Sequence, residues 1–168
     1  MAGPAQDARY LAAARHAHTA GALRRAETLR QRTTRLDDDT RNQALSSRLH
    51  GLLLGYHDQA AALRLLADAA AAYAAEDDVD TARDCLVDAF DIVQLHLARP
   101  DPAIVARLAA LAAVLTRAGS WADADLWLLR GTAICATEGF AAAAPLLWSA
   151  LADLRDEVPR HTTPNRWY

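Results

Sequence analysis

Residues 108–154 read LAALAAVLTRAGSWADADLWLLRGTAICATEGFAAAAPLLWSALADL. Two turns made of small and polar residues, at 118–120 and 138–139, interrupt this Ala/Leu-rich segment. The same order follows the glycine of each turn: an alanine comes five residues later, and a large apolar residue comes four residues after that. These residues are Ala124, Leu128, Ala144 and Trp148. The pattern predicts helix–turn–helix units that stack on one another.

Composition extends this interpretation to the whole chain. Of its 168 residues, 52% are hydrophobic but only 6% are aromatic, so alanine supplies the excess. Alanine is the best helix former because its side chain loses no rotamer freedom in a helix. We therefore expect an all-α fold, with one helical domain over residues 1–158 and a tail over 159–168.

Several kinds of chemistry are disfavoured by the residues present. All 18 basic residues are arginine, which excludes Schiff-base and lysine-nucleophile mechanisms. Motifs for phosphate cradles, nucleophile elbows, dinucleotides and zinc are missing, so we expect no metal, no cofactor and no identifiable catalytic residue. Whether the chain is an enzyme stays open, and a non-catalytic role is favoured.

The two cysteines and the N-terminus bear on location. Cys85 and Cys135 occupy apolar helix positions without a CxxC motif, which indicates reduced thiols of the kind common in the cytoplasm. The first ten residues have no leader pattern, and no apolar run approaches ~18 residues. We therefore expect a cytoplasmic protein with no membrane partner.

Apolar periodicity and turn residues predict eight helices. Their ranges are 6–19, 22–35, 41–54, 58–75, 79–97, 102–117, 120–137 and 140–157. Asp58 and Asp101 are expected to cap the fourth and sixth helices, and the Asp37–Asp39 run to start the third. Gly55 is expected to end the third helix.

A regular spacing links these helices. From residue 55 onward the turns recur every ~20–22 residues, which is typical of an α-solenoid, since one helix pair cannot bury its own apolar face. In five turns an alanine stands five residues after the turn residue, where two helix backbones are expected to lie closest. These alanines are Ala26, Ala60, Ala82, Ala124 and Ala144.

Two segments carry a common order of large, small, turn and aromatic residues. The first comprises Leu66, Ala69, Ala70, Tyr73, Asp77, Val79, Ala82, Leu86 and Ala89. The second, 42 residues later, comprises Leu108, Leu111, Ala112, Leu115, Gly119, Trp121, Ala124, Leu128 and Gly131. In this order the chain resembles the tetratricopeptide (TPR) repeat family. The resemblance implies a stack of about eight antiparallel helices that binds a peptide, a partner protein or another copy without catalysis. Similar Ala/Arg/Asp-rich repeats in regulators of high-GC bacteria imply a regulatory or scaffolding role.

The tryptophans are the first candidate binding residues. Trp121 and Trp148 fall on positions expected to be in the core, whereas Trp127 lies nearer a helix edge that can face a groove. Clustered tryptophans anchor binding surfaces because each buries a large area. The alternative is that they fill gaps in an alanine-rich core.

Charges give the second set of candidates. Asp80, Asp84, Asp88 and Asp91 fall within an ~80° arc of the fifth predicted helix, opposite its apolar stripe. They could bind a cation or an arginine-rich segment of another copy, or form an ordinary solvated face. Arg24 and Arg25 belong to a basic N-terminal region that could pair with such acids, since residues 1–50 hold nine arginines against five acids.

Other partners and activities are less favoured. Nucleic-acid binding is unlikely, since the chain carries a net charge of -3 and its arginines have no interleaved aromatic residues. The alternative to a binding module is a small helical enzyme or ligand sensor. Its pocket would lie in the C-terminal half, near the tryptophans and the acids of the fifth helix.

Overall fold

The computed structural model describes residues 4–33, 39–95, 100–117 and 124–157. Within these ranges the chain forms eight helices and no strand, which confirms the all-α prediction. The helices are α1 (Pro4–Thr19), α2 (Leu23–Gln31), α3 (Thr40–Leu54), α4 (Gln59–Ala75), α5 (Val79–Leu95), α6 (Pro102–Arg117), α7 (Ala124–Thr137) and α8 (Phe140–Glu157). The predicted ends of the second and fifth helices and the start of the seventh fall partly outside the described residues.

Four aspartates cap the N-termini of α3, α4, α5 and α6. The carboxylates of Asp39, Asp58, Asp78 and Asp101 accept hydrogen bonds from backbone N–H groups two or three residues later, at 2.9 to 3.3 Å. Each bond satisfies an N–H group that has no partner inside the helix, and each negative charge meets the positive end of the helix dipole. The expected caps Asp58 and Asp101 are confirmed, and Asp39 is the residue of the acidic run that caps α3.

The residues at the turns have two kinds of backbone conformation, left-handed and right-handed. Gly21, Asp77 and Gly139 have positive φ angles of 73°, 61° and 94°, the left-handed conformation that ends many helices. Gly55 directly follows the last residue of α3, so the prediction that it ends this helix is confirmed, and its φ of -50° is right-handed. Gly55 is buried under α5, where an added Cβ would lie 2.9 Å from Cδ1 of Ile92. Its small size, rather than its backbone freedom, fits this position.

Packing follows chain order. The most extensive contacts join α3 to α4, α4 to α5, α7 to α8, α1 to α2 and α6 to α7. Smaller contacts join α4 to α6, α1 to α3 and α5 to α7, and the smallest of these join α2 to α3 and α5 to α6. One buried cluster runs from α3 to α7, and Leu63, Leu66, Leu86, Leu108 and Leu129 are its fully buried leucines. A smaller cluster of Leu11, Ala14 and Leu49 joins α1 to α3. The core is therefore shared between successive helices along the chain.

The alanines five residues after the turns differ in burial. Ala26 and Ala82 are fully buried, whereas Ala60 and Ala144 are only half-buried. The side chain of Ala124 lies outside the described residues. Close approach in the C-terminal half occurs instead at Gly131 of α7, where an added Cβ would collide with the side chain of Leu147 from α8.

The helix α8 differs from the other seven in its outer side. Ala143 and Ala150 are buried, but Phe140, Trp148 and Leu151 are 68%, 70% and 49% exposed. The expectation that Trp148 lies in the core is therefore wrong, because no described helix packs on that side of α8. The helix also contains Pro145, which lacks the N–H group that would bond to the carbonyl of Ala141.

Candidate functional site

A cavity of about 510 Å³ opens between α1, α3 and α5, and α4 closes its floor. We call it the α1–α3–α5 pocket. Its lining residues are Arg15, His18, Thr19, Arg41, Asn42, Leu45, Arg48, Leu49, Leu52, Tyr73, Thr81, Asp84 and Asp88. All but the three leucines carry a polar group, so the pocket suits a polar or charged ligand.

Arg48 joins two walls of this pocket. Its Nε lies 2.7 Å from Oδ2 of Asp88, and its Nη1 lies 3.7 Å from Oδ2 of Asp84. The two acids are four residues apart on α5, so their carboxylates lie on one face and reach the same guanidinium. The side chains of Arg48 and Asp88 are only 21% and 22% exposed, whereas that of Asp84 is 58% exposed. Part of the acidic stripe is thus paired within the chain.

Burial and pairing act against each other in this ion pair. Burial raises the pKa of Asp88 above its usual value, although the nearby Arg48 lowers it. Burial lowers the pKa of Arg48, but the charge and hydrogen bond of Asp88 outweigh this effect, so its pKa is raised. Arg48 therefore keeps its positive charge, and that charge is compensated by α5 rather than by water.

The wall formed by α1 and α3 carries more exposed cations. Arg41 is 70% exposed, and its Nη2 lies 3.0 Å from Oδ2 of Asp78. Arg15 is exposed, and within the described part of the chain its guanidinium forms no ion pair. His18 stands one turn after Arg15 on the same helix. An anionic group that enters the pocket would meet these side chains first.

Tyr73 forms the floor. The residue is only 3% exposed, and its hydroxyl makes no hydrogen bond to the residues that the structure describes. Burial, more than any nearby charge, raises the pKa of this phenol to about 12. The hydroxyl is therefore neutral at physiological pH and can donate a hydrogen bond to a bound anion.

The structure places only some of the acidic and basic residues predicted as binding residues in the pocket. Asp84 and Asp88 line the pocket, while Asp91 is exposed outside it. Arg24 and Arg25 are exposed on α2 and do not line the pocket. The two arginines are therefore not brought together with the acids of α5 within one chain.

The tryptophans do not form one cluster with the pocket. Trp127 is half-buried on α7, with Cζ of Arg130 5.0 Å from its ring centroid, a cation–π distance. Trp148 is exposed on α8, and Trp121 lies outside the described residues. The pocket is formed by residues between 15 and 88, so it contains the fifth-helix acids Asp84 and Asp88 that the sequence suggested for a ligand site but none of the tryptophans.

Sequence reasoning missed Arg15, Arg41, Arg48 and Tyr73 as pocket residues. One signal was present: Arg48 stands three residues after Leu45 and four before Leu52, so it interrupts the apolar stripe of α3. A charge at such a position requires a buried partner. Arg15 and Arg41 carried no comparable signal, because exposed arginines are common on helices.

Other features of the described residues bear on chemistry. They contain no group of three or more His, Cys, Asp or Glu side chains that could hold a metal ion. No helix among them is long and apolar enough to cross a membrane. Burial raises the pKa of the Cys85 thiol to about 12, so this cysteine is a poor nucleophile at neutral pH.

No family model, curated protein or solved structure matches the chain. Any function proposed for it therefore rests on the geometry of the pocket and on the residue order of the sequence.

Proposed function

We propose that this chain is a TPR-like, non-catalytic binding module whose α1–α3–α5 pocket receives an acidic segment of a partner protein. Such a module would serve a regulatory or scaffolding role in the cytoplasm of a high-GC bacterium. The single observation that carries the proposal is the pocket itself, with exposed guanidinium groups on one wall and, on its floor, a tyrosine hydroxyl that makes no hydrogen bond within the described part of the chain.

The order of helix contacts supports the repeat interpretation. Helices that are neighbours in the chain pack together, and α1·α3, α4·α6 and α5·α7 are packed pairs as well. This is the pattern expected of helix hairpins stacked in sequence order. The pocket opens between α1, α3 and α5; α1 packs on α3, and the Arg48–Asp88 ion pair joins α3 to α5. A surface shared by three helices suits an extended segment.

The charge distribution favours an acidic segment. Arg48 is held by Asp88, and Nη2 of Arg41 is paired with Asp78. The donors that remain for a ligand at the rim are the guanidinium of Arg15 and the other N–H groups of Arg41, whose side chain is 70% exposed. Guanidinium groups bind carboxylates through paired hydrogen bonds, and Tyr73 adds a neutral donor at the bottom. Asp84, which is half-exposed on the opposite wall, would orient the segment by repelling its acidic side chains.

The same geometry weighs against an apolar small molecule. Sites for such ligands are lined mainly by hydrophobic and aromatic side chains. Here only Leu45, Leu49 and Leu52 are apolar, and all three lie on α3. An enzyme or sensor that acts on a charged small molecule is the alternative, and the size of the cavity favours it.

Fluorescence anisotropy of labelled hexaglutamate, hexaglutamine and hexalysine peptides tests the proposal. We expect hexaglutamate to bind with a Kd in the micromolar range at low salt and the other two to bind at least tenfold more weakly, since exposed ion pairs are salt-sensitive. The double variant Arg15→Glu/Arg41→Glu should weaken hexaglutamate binding at least tenfold. Both positions are exposed, so the fold is expected to tolerate the change.

The matched control is Arg24→Glu/Arg25→Glu. It makes the same change of net charge on exposed arginines of α2 that lie outside the pocket. Equal loss of binding in both double variants would mean that the peptide responds to total charge, and the pocket assignment would then be wrong. No binding of hexaglutamate at all would also contradict the proposal. Binding of free glutamate as tightly as hexaglutamate would favour the small-molecule alternative.

A further inference from the structure

The outer side of α8 forms a continuous apolar face. It consists of Phe140, Ala141, Pro145, Trp148, Leu151 and Ala152, all of which are exposed. We call it the α8 apolar face. At 100° per residue these positions fall within an arc of ~140° on one side of the helix. Three large side chains stand on it, since Phe140 and Trp148 are more than two-thirds exposed and Leu151 is half-exposed.

The opposite side of α8 already has its partner. Ala143 and Ala150 are buried, and Leu147 fits against Gly131 of α7. The α8 apolar face is therefore not needed for packing within the described part of the chain. Water in contact with so much apolar surface is unfavourable, and contiguous patches of this kind mark interaction sites in soluble proteins.

Trp148, at the centre of α8, has apolar residues three and four positions away on both sides. Trp148 is the ninth of the 18 residues of α8. Pro145 and Leu151 lie three residues to either side of it, and Ala144 and Ala152 lie four residues to either side. If two copies of α8 packed antiparallel about a two-fold axis at Trp148, Leu151 of one copy would face Pro145 of the other. Ala152 would likewise face Ala144, and these small residues would let the helices approach closely.

Charge also favours a second copy over a charged partner. Among the exposed side chains that the structure describes on this side of α8, Arg155 is the charged one. It lies seven residues after Trp148, where it would face Ala141 of the other copy at the rim of the contact. Its aliphatic stem could cover that alanine while the guanidinium stayed in water. In the same register Phe140 faces position 156 of the other copy, an aspartate whose side chain lies outside the described residues.

The available area fits a weak dimer. Aromatic side chains bury roughly 150–250 Å² each, so Phe140 and Trp148 together offer about 300 Å² at their observed exposure. The helix is about 27 Å long, and its whole apolar face comes to about 500 Å² per copy. Standard interfaces bury about 800 Å² per partner. Association is therefore expected in the range of about 10 to 100 μM rather than nanomolar.

We infer that the α8 apolar face is a self-association surface, on which α8 of a second copy packs antiparallel around Trp148. The surface lies outside the α1–α3–α5 pocket, so one copy can bind a partner segment while it is dimeric. This inference does not rest on the proposed function, because it uses no residue of the pocket.

Sedimentation equilibrium of the full chain from about 1 to 300 μM tests the inference. We expect a reversible monomer–dimer equilibrium, and we expect Trp148→Glu to weaken it at least tenfold because two carboxylates would meet at the axis. The matched control is Tyr56→Glu, which places the same charge on an aromatic residue that is 63% exposed in the turn after α3. Circular dichroism should show unchanged helix content in both variants.

Two outcomes would overturn the inference. One is a full chain that stays monomeric up to 300 μM, and the other is a Trp148→Glu variant that dimerises like the original. If a chain that ends at Glu157 dimerises while the full chain does not, residues 158–168 occupy the face and the second copy does not. Hexaglutamate binding by Trp148→Glu separates this test from that of the pocket, because the variant should bind the peptide normally.

Discussion

Side chains that point away from the core have partners in the α3–α5 region, whereas on α8 they are exposed to solvent. On α5 the buried carboxylate of Asp88 is neutralised by Arg48 of α3, and aspartates cap α3, α4 and α5. On α8 large apolar side chains stay in water. The reason is position in the fold. A helix inside the stack packs against helices on both sides, which pair its charges and cover its apolar side chains, whereas α8, the last described helix, packs on α7 alone.

The largest expected contrast is in apolar truncation. Leu66 of α4 is fully buried, so Leu66→Ala should lower the free energy of unfolding by about 3–4 kcal/mol through lost transfer energy and a cavity. Leu151→Ala on α8 should change it by less than about 0.5 kcal/mol in the monomer. Urea unfolding measures both losses at 1 μM protein, a concentration below the dissociation constant expected for the dimer. Similar losses for the two variants would abolish the contrast.

Alkaline pH should weaken the buried region. The pKa of Cys85 is raised by burial to about 12, and an exposed thiol ionises near 9. The folded state therefore holds its proton longer than the unfolded state, so this stabilisation is complete below pH 9 and is lost as the pH rises towards 12. We expect a loss of about 1.4 kcal/mol per pH unit from this group between pH 9 and 11.

Urea unfolding at several pH values tests this dependence. Cys85→Ala should reduce the slope. Ala89→Gly, which destabilises the same helix without removing a titratable group, should retain it. An unchanged slope in Cys85→Ala would show that the loss comes from other groups.

The Arg48 ion pair should show how strongly α3 and α5 are coupled. Asp88→Ala leaves a guanidinium that is four-fifths buried without its closest partner, and should cost about 2 kcal/mol, moderated by the remaining Asp84. Asp84→Ala should cost about 0.5 kcal/mol or less, because that carboxylate is 58% exposed and 3.7 Å away. Thermal unfolding at neutral pH would rank the two, and the reverse order would refute this account of the pair.

A smaller loss than that of Asp88→Ala is expected at a helix cap. Asp58→Ala removes the side-chain acceptor for the N–H of Ala61 and should cost about 1 kcal/mol. Asp58→Asn retains an acceptor and should lie within a few tenths of a kcal/mol of the original chain. Chemical denaturation resolves this difference. Equal losses would mean that the carboxylate charge at the helix end matters more than the hydrogen bond.

Local rules were sufficient for the helices. Capping aspartates, turn glycines and apolar periodicity act over four or five residues, so the bounds of α4, α6 and α8 agree with the predicted ranges within one residue. The same rules placed Gly55 at the end of α3 but did not show its contact with Ile92 of α5, which leaves no room for a Cβ. That contact joins residues 37 positions apart, and no local pattern reports it.

The site was harder to predict from the sequence for the same reason, since its residues are far apart in the chain. Asp84 and Asp88 were recognised as one acidic face, but their partner is Arg48, forty residues earlier than Asp88. The expectation that Trp148 lies in the core was wrong, because Trp148 lies on the side of α8 opposite the buried Ala143 and Ala150. A stripe shows which side of a helix is apolar, and it does not show whether another helix exists to cover that side.

Pro145 gives α8 a mechanical property that its length alone would not suggest. Because this residue cannot donate a backbone hydrogen bond, the turn that carries Phe140 is tied less tightly to the turns that carry Trp148 and Leu151. A few degrees of bending at this joint would change the angle between the two aromatic rings without unwinding the helix. The α8 apolar face can therefore change its curvature when α8 of a second copy packs on it, which a straight helix could not do.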